Sequence, residues 1–344
     1  MRSKWSVASG QWPGVSGQWP VVVRPWPLAV LLLLATLVLT GCMRTEEVKF
    51  HRFEQLLFDT PADRLATELK AREQEFRSEL ILLYPDEPEF LQMTQEFVSD
   101  PVMRDIYRIT DSLYHDLSDV ERELGKALAR AYKLCPEMQH VERFYTMVTG
   151  DFDNYRFRVF SNGYDLCVGL DEYSLGAMER YNYFGMPSYV VRTLTREYIV
   201  PDCMFTLAGL YLGRPDGEQT LLDHAIADGK KLYFMEKVLP GIADTVLLRY
   251  TADQLKWMRD NERNVWGWLI KNKMLYSTDQ NTYRNLLGEA PHTNAFGNDS
   301  APRTASYIGW QIVRAYMQKS HSTMHELLDE PDSQKILTVS GWRP

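Results

Sequence analysis

The chain has 344 residues, 45% of them hydrophobic, with 38 basic against 46 acidic side chains and a net charge of −8. That length and apolar content are enough for one large or two modest domains. An acidic balance without a basic stripe excludes nucleic acid as the expected partner, and excludes charge as the means of membrane binding.

The first 27 residues carry Arg2, Lys4 and Arg24 and no acid, and the apolar run Leu28–Cys42 follows. The run is short for a membrane span, which needs about 20 apolar residues, and suits the apolar core of a signal peptide. It closes on Leu39-Thr40-Gly41-Cys42, which resembles a bacterial lipobox. Residues 1–41 are therefore expected to be a cleaved leader. Cys42 is expected to carry lipid and to hold the protein to a cell-envelope membrane, the outer membrane rather than the inner. "SGQWP" occurs twice in this leader, at Ser9–Pro13 and Ser16–Pro20, which fits a duplication or an upstream start. Removing the leader leaves 35 basic and 46 acidic side chains, so lipid rather than charge is the expected anchor.

Residues 42–58 read as the lipidated cysteine and a tether, and 59–344 as a single domain. "TPADRLATELKAREQEFRSELILLY" predicts a helix with Thr60 as N-cap, Pro61 at its first position and Leu65, Leu69, Phe76 and Leu80 on one face. A helical stretch from Pro88 breaks at Asp100-Pro101, because a residue preceding proline avoids the helical region. "DVERELGKALARAYKLCP" has helical spacing through Leu124, Leu128 and Ala131. Strand-like runs then flank Ser161-Asn162-Gly163, and Asn-Gly between alternating residues is a strong hairpin signal. Four helical stretches follow, beginning near Ser188, Thr220, Thr251 (a predicted N-cap) and Ala305, with a short one from Thr323. The fold class is α+β, predominantly α-helical, with one small antiparallel sheet inserted between helices.

The remaining signals are weaker. Cys135, Cys167 and Cys203 show no CxxC spacing and read as small buried residues. Trp257, Trp266, Trp268, Trp310 and Trp342 would suit a glycan-binding surface if exposed in a row, although helix packing accounts for most of them. Asp279 onward superficially matches a calcium loop but lacks the glycine and glutamate that such a loop requires. Asp111-Ser112-Leu113, Asp244-Thr245-Val246 and Asp299-Ser300-Ala301 match a short bacterial O-glycosylation pattern, and the last lies in a stretch whose composition predicts an exposed loop.

"RTLTREYIVPD", Arg192–Asp202, invites comparison with the HExxH helix of zinc peptidases, in which two histidines bind the ion and a glutamate acts as base. With Glu197 as the base, Arg196 and Val200 fall at the ligand positions. Arginine is a fixed cation and valine has no lone pair, and Pro201 is expected to end or kink the helix. The next helix carries Asp228-Gly229 where a third ligand would sit. Longer stretches extend the likeness: "VGLDEYSLG" (Val168–Gly176), "REYIVPDCM", "AIADGK" (Ala225–Lys230), "YTADQLKWMRDNE", "MLYSTD" (Met274–Asp279), "IGWQIVRAYM" and "QKILTVSGWRP". Together they resemble the gliding-motility lipoprotein family GldB of Bacteroidetes, over roughly Thr45 to Pro344.

The resemblance implies a zincin-like, gluzincin-type architecture whose site has degenerated at Arg196, Glu197, Val200 and Asp228. It implies an envelope lipoprotein that is not an enzyme, holds no metal or other cofactor, and acts on unidentified envelope protein partners in a motility- or secretion-linked assembly. Arg196, Glu197 and Asp228 are then expected to pair where an ion once sat, with Arg196→Ala costing about 3–5 kcal/mol by stranding a buried acid. Alternatively Arg196 and Glu197 lie on a solvated helix face. Two other functions remain open: a hydrolase with a rearranged metal site at Glu197, His224 and Asp228, and a glycan-binding surface lipoprotein.

Overall fold

The computed structural model describes residues 45–81, 83–150, 158–177 and 186–344. The expected leader, 1–41, and Cys42, expected to carry lipid, lie outside the described residues. Residues 44–344 cluster as one unit. Among the described residues no helix is long and apolar enough to cross a membrane.

Regular structure begins inside the segment expected to be a tether. Phe50–Arg52 forms strand β1 and Phe53–Asp59 helix α1. Val48, Phe50, Phe53, Leu56, Leu57 and Phe58 are all buried, so this segment is part of the core. Thr60 does not start a helix. Its hydroxyl donates to the Leu56 carbonyl at 2.6 Å, closing the end of α1. The long helix expected after it is reduced to α2, Leu65–Ala71. Leu65, Leu69 and Phe76 are nevertheless fully buried, so the predicted apolar face survives the loss of helix.

Helices α3 (Pro88–Ser99) and α4 (Pro101–Tyr114) meet at Asp100, as expected. The Asp100 carboxylate accepts from Val102 N at 2.7 Å and Met103 N at 3.0 Å, satisfying two donors that begin α4. Helix α5, Ser118–Leu134, follows, with Leu124, Leu128 and Ala131 at 0% exposure.

The sheet is mixed rather than antiparallel. Strands β2 (Arg143–Met147), β3 (Val159–Ser161) and β4 (Asp165–Gly169) join β1 in the order β1-β2-β4-β3. β1 and β4 both run parallel to β2, and β3 alone is antiparallel. The Asn-Gly signal located the β3–β4 hairpin correctly. Asn162 Oδ1 accepts from Tyr164 N and Asp165 N, and Gly163 takes φ +95°. Side chains alternate across the sheet: Phe144, Leu166 and Val168 enter the larger core, whereas Tyr145 and Cys167 enter a smaller one with α1 to α4. A sheet covered on both faces needs no polar side, which is why all five residues of β4 are buried.

After the sheet comes the short helix α6 (Ser188–Val191), and the larger core is built by α5 with α7 (Ile199–Gly209), α8 (Leu221–Val238), α9 (Asp244–Leu248), α10 (Ala252–Lys271), α11 (Gln280–Leu287), α12 (Thr304–Ser320), α13 (Met324–Asp329) and α14 (Ser333–Ser340). Capping boxes at Thr220/Asp223, Thr251/Gln254 and Thr323/Glu326 start α8, α10 and α13. Helices α8 and α12 cross backbone to backbone. A Cβ on Gly229 would lie 2.4 Å from the Gly309 carbonyl, and one on Gly309 would lie 1.8 Å from the Ala225 carbonyl oxygen. The glycine after Asp228 is thus needed for helix packing.

Candidate functional site: an arginine-lined cavity

The motif segment is not one helix. After α6 comes a single 3-10 turn at Arg196–Tyr198, and α7 then begins at Ile199. Pro201 is the third residue of α7, where its missing N–H costs no hydrogen bond, so it starts a helix rather than ending one. This change of direction separates the motif residues. The Arg196 guanidinium donates to the Leu113 and Asp116 carbonyls at 3.2 and 2.6 Å, at the end of α4, and also binds both oxygens of Asp119 in the first turn of α5. It caps one helix and bridges to the next. The hydrogen bond to Arg196 holds the Asp119 carboxyl down at about 2. Glu197 is exposed and lines a surface groove, while Val200 is 3% exposed inside the core.

Asp228 is held elsewhere. Ser306 Oγ donates to it at 2.7 Å, Lys231 Nζ lies at 2.9 Å and Arg303 at 4.0 Å. Burial raises its pKa, and Lys231 and Arg303 more than reverse the effect, so it is ionised below the usual range. The expected Arg196–Glu197–Asp228 network is therefore not formed, because the 3-10 turn aims Arg196 at α4 and α5. The alternative metal set is not assembled either. The His224 ring packs edge-on against Tyr283 at 4.6 Å, and Glu197 faces solvent.

The opposite face of the same segment opens on a cavity of about 290 Å³ lined by Tyr198, Asp202, Arg158, Arg249, Glu289 and Arg303, with apolar walls from α7, α8 and α9. Asp202 is the sole charge in α7, within a stretch that is otherwise apolar or small. A lone carboxylate there must find partners or lose its charge. One oxygen accepts from Arg158 Nε and from Tyr173 OH, each at 2.8 Å, and the other from Arg249. Burial alone would raise its pKa, but Arg249 and then Arg158 outweigh burial and keep it ionised. Burial and then the Asp202 charge push the Tyr173 phenol well up, so it remains a neutral donor.

The arginines reach this point by unusual backbone. Arg249 (φ 58°) ends α9 and Arg303 (φ 51°) precedes α12. They are two of four non-glycine residues with positive φ among those described, a conformation the surrounding fold must hold in place. Arg192 supplies part of that hold by donating to the Arg249 carbonyl at 2.7 Å, and the Arg249 guanidinium lies over the Tyr198 ring at 5.0 Å. Glu289 stands 4.0 Å from Arg158, and one of its oxygens is buried without a hydrogen-bond partner.

Among the described residues, three guanidinium groups and two carboxylates line the cavity. A divalent metal ion does not fit this donor set. The oxygens of Asp202 are taken by cations, and fixed guanidinium charges surround the remaining acid. The segment singled out in the sequence borders this cavity through Tyr198, Pro201 and Asp202, and not through Arg196, Glu197 or Val200. Asp202 was not among the expected site residues, although its isolation as the one charge in apolar α7 could have marked it; Arg158, Tyr173, Arg249, Glu289 and Arg303 come from separate elements and carried no common spacing.

Other expectations also change. Ser300 is 1% exposed and bonds the Thr293 carbonyl at 3.0 Å, so Asp299-Ser300-Ala301 is not an accessible glycosylation site. Ser112 and Thr245 lie within α4 and α9. Trp310 is buried, and Trp257, Trp266, Trp268 and Trp342 pack against the core, so they form no row of exposed rings. Cys135, Cys167 and Cys203 are buried and free, as expected.

A family model described as gliding motility protein GldB matches residues 43–344. No curated protein and no solved structure gives a match.

Proposed function

This chain belongs to the gliding motility protein GldB family, a family of motility-associated lipoproteins, and from that membership we propose a non-catalytic, peptidase-like envelope protein that works through protein contacts. On this reading Cys42 carries the lipid that anchors the chain, to the outer membrane in preference to the inner.

One observation carries the non-catalytic part. The single carboxylate of α7 is bound by two guanidinium groups and a phenol. With its oxygens taken by cations of the protein itself that carboxylate is not free to hold an ion, and of the expected ligand positions Arg196 is tied to Asp119 and Val200 is buried in the core. The zincin-like part rests on element order. An antiparallel edge strand, β3, packs beside α7, and α7 leads to α8 with Asp228.

The reading is tested by complementing a deletion strain with full-length variants while assaying peptide hydrolysis by the purified protein. Cys42→Ala should abolish complementation, whereas Glu197→Gln and Asp228→Asn should retain it, and no variant should hydrolyse peptides. Metal-dependent hydrolysis by the wild type, lost in Glu197→Gln or Asp228→Asn along with complementation, would overturn it in favour of the rearranged hydrolase.

A further inference from the structure

Away from the cavity, the end of α5 meets α13. A ring nitrogen of His325, the sulfur of Cys135 and a carboxylate oxygen of Glu137 all lie within 4.8 Å of one another. Among the described residues this is the group of three or more potential metal-ligating side chains that comes together. Cys135 and His325 are far apart in sequence, so no motif spacing announces the site.

The three ligands are positioned by independent devices. Cys135 closes α5, its N–H donating to the Ala131 carbonyl at 2.8 Å, and Pro136 then turns the chain so that Glu137 follows within one turn. Helix α13 is fixed at its start by the Thr323/Glu326 capping box. At its end, Lys230 Nζ donates to the Leu328 and Glu330 carbonyls at 3.2 and 2.5 Å, and the Gly213 N–H donates to Leu328 at 2.9 Å. A short helix held at both ends presents His325 to Cys135 without freedom to turn away.

Two features ask for a cation at this point. His325 Nδ1 is buried and has no hydrogen-bond partner. A bound ion drawing the ring into its coordination shell would give such a group a partner. Cys135 is 0% exposed, and its sulfur converges with the Glu137 carboxylate and the His325 ring on one point.

We propose that Cys135, Glu137 and His325 form a zinc site that clips α13 to the end of α5. A sulfur, an imidazole and a carboxylate together favour zinc over magnesium or calcium, which take oxygen ligands. Zinc bonds of about 2.0–2.3 Å put tetrahedral ligands roughly 3.3–3.8 Å apart, so side-chain rotations of about 1 Å close the site. Glu137 is exposed, which gives the ion its entry and leaves a fourth position for water or for a ligand from a partner protein. Because the ion would join residues 135 and 325, it would restrict a long loop of the unfolded chain.

The test uses the full-length lipoprotein in detergent, reduced and stripped with chelator, and titrated with Co²⁺. The expected result is a thiolate-to-cobalt absorption band that saturates at one equivalent and is displaced by Zn²⁺. The band should disappear in Cys135→Ser and His325→Ala and weaken in Glu137→Gln. No band in the wild type, or a band that persists in Cys135→Ser and so belongs to another thiol, would overturn the proposal. Should the variants fail to fold, X-ray absorption of the zinc-loaded wild type decides. One sulfur with nitrogen and oxygen neighbours supports the site, whereas an all-oxygen-and-nitrogen shell or several sulfurs rejects it.

Discussion

The two ends of Arg196–Asp202 hold similar ion pairs in opposite surroundings. At the outer end, Arg196 grips Asp119, whose side chain is 52% exposed, and water shares the interaction. At the inner end Asp202 is 8% exposed and is compensated, among the described residues, by Arg158, Arg249 and Tyr173. Water screens the first pair, so losing it costs little. Nothing replaces a missing member of the second. The lesson is that the end resembling a catalytic motif is the less critical one.

The comparison can be broken by mutation. Asp202→Ala should cost the most, about 3–5 kcal/mol in a urea melt, because it leaves two guanidinium groups buried without their acid. An effect under about 1 kcal/mol would mean that water reaches the cavity freely. Tyr173→Phe removes one hydrogen bond to a charged group and should cost about 2 kcal/mol by the same measurement. Arg196→Ala should cost about 1 kcal/mol, well below the 3–5 kcal/mol that a buried network would have required. It should also release the Asp119 carboxyl from about 2 toward its ordinary value, read by carboxyl NMR titration. Glu197→Gln should change stability by no more than about 0.5 kcal/mol.

Acid sharpens the same contrast. Both Asp119 and Asp202 have folded pKa values below their unfolded ones. Each therefore contributes its full stability above the unfolded value, about 4, and loses it as pH falls through the folded value. Asp202→Asn should flatten the pH dependence of stability below about pH 4, and Asp119→Asn should do so less, because solvent screens its pair.

Much of the fold was legible in local pattern. Leu124, Leu128 and Ala131 marked the buried face of α5, Asp100-Pro101 marked the junction of α3 and α4, and Asn162-Gly163 marked the β3–β4 hairpin. Strand β1 was not legible, since three residues show no period. The parallel pairing of β1 and β4 with β2 was hidden because each connection runs through long intervening chain. Of the candidate site, the isolated charge of Asp202 was the one legible signal, and it was not among the expected site residues. Arg158, Arg249 and Arg303 sit at strand and helix ends, and their approach depends on two left-handed backbone positions that no side-chain pattern encodes.

By itself the sequence determined the helical periodicity of α5, the Thr251 cap, the Asn162-Gly163 hairpin and the family. These are written in short-range chemistry: apolar spacing, side-chain caps and fixed motifs. Only the tertiary structure decided which face of Arg196–Asp202 turns inward, and which distant charges meet there. A buried carboxylate is stable wherever enough positive charge surrounds it, and that condition is set by the packing of elements far apart in the chain.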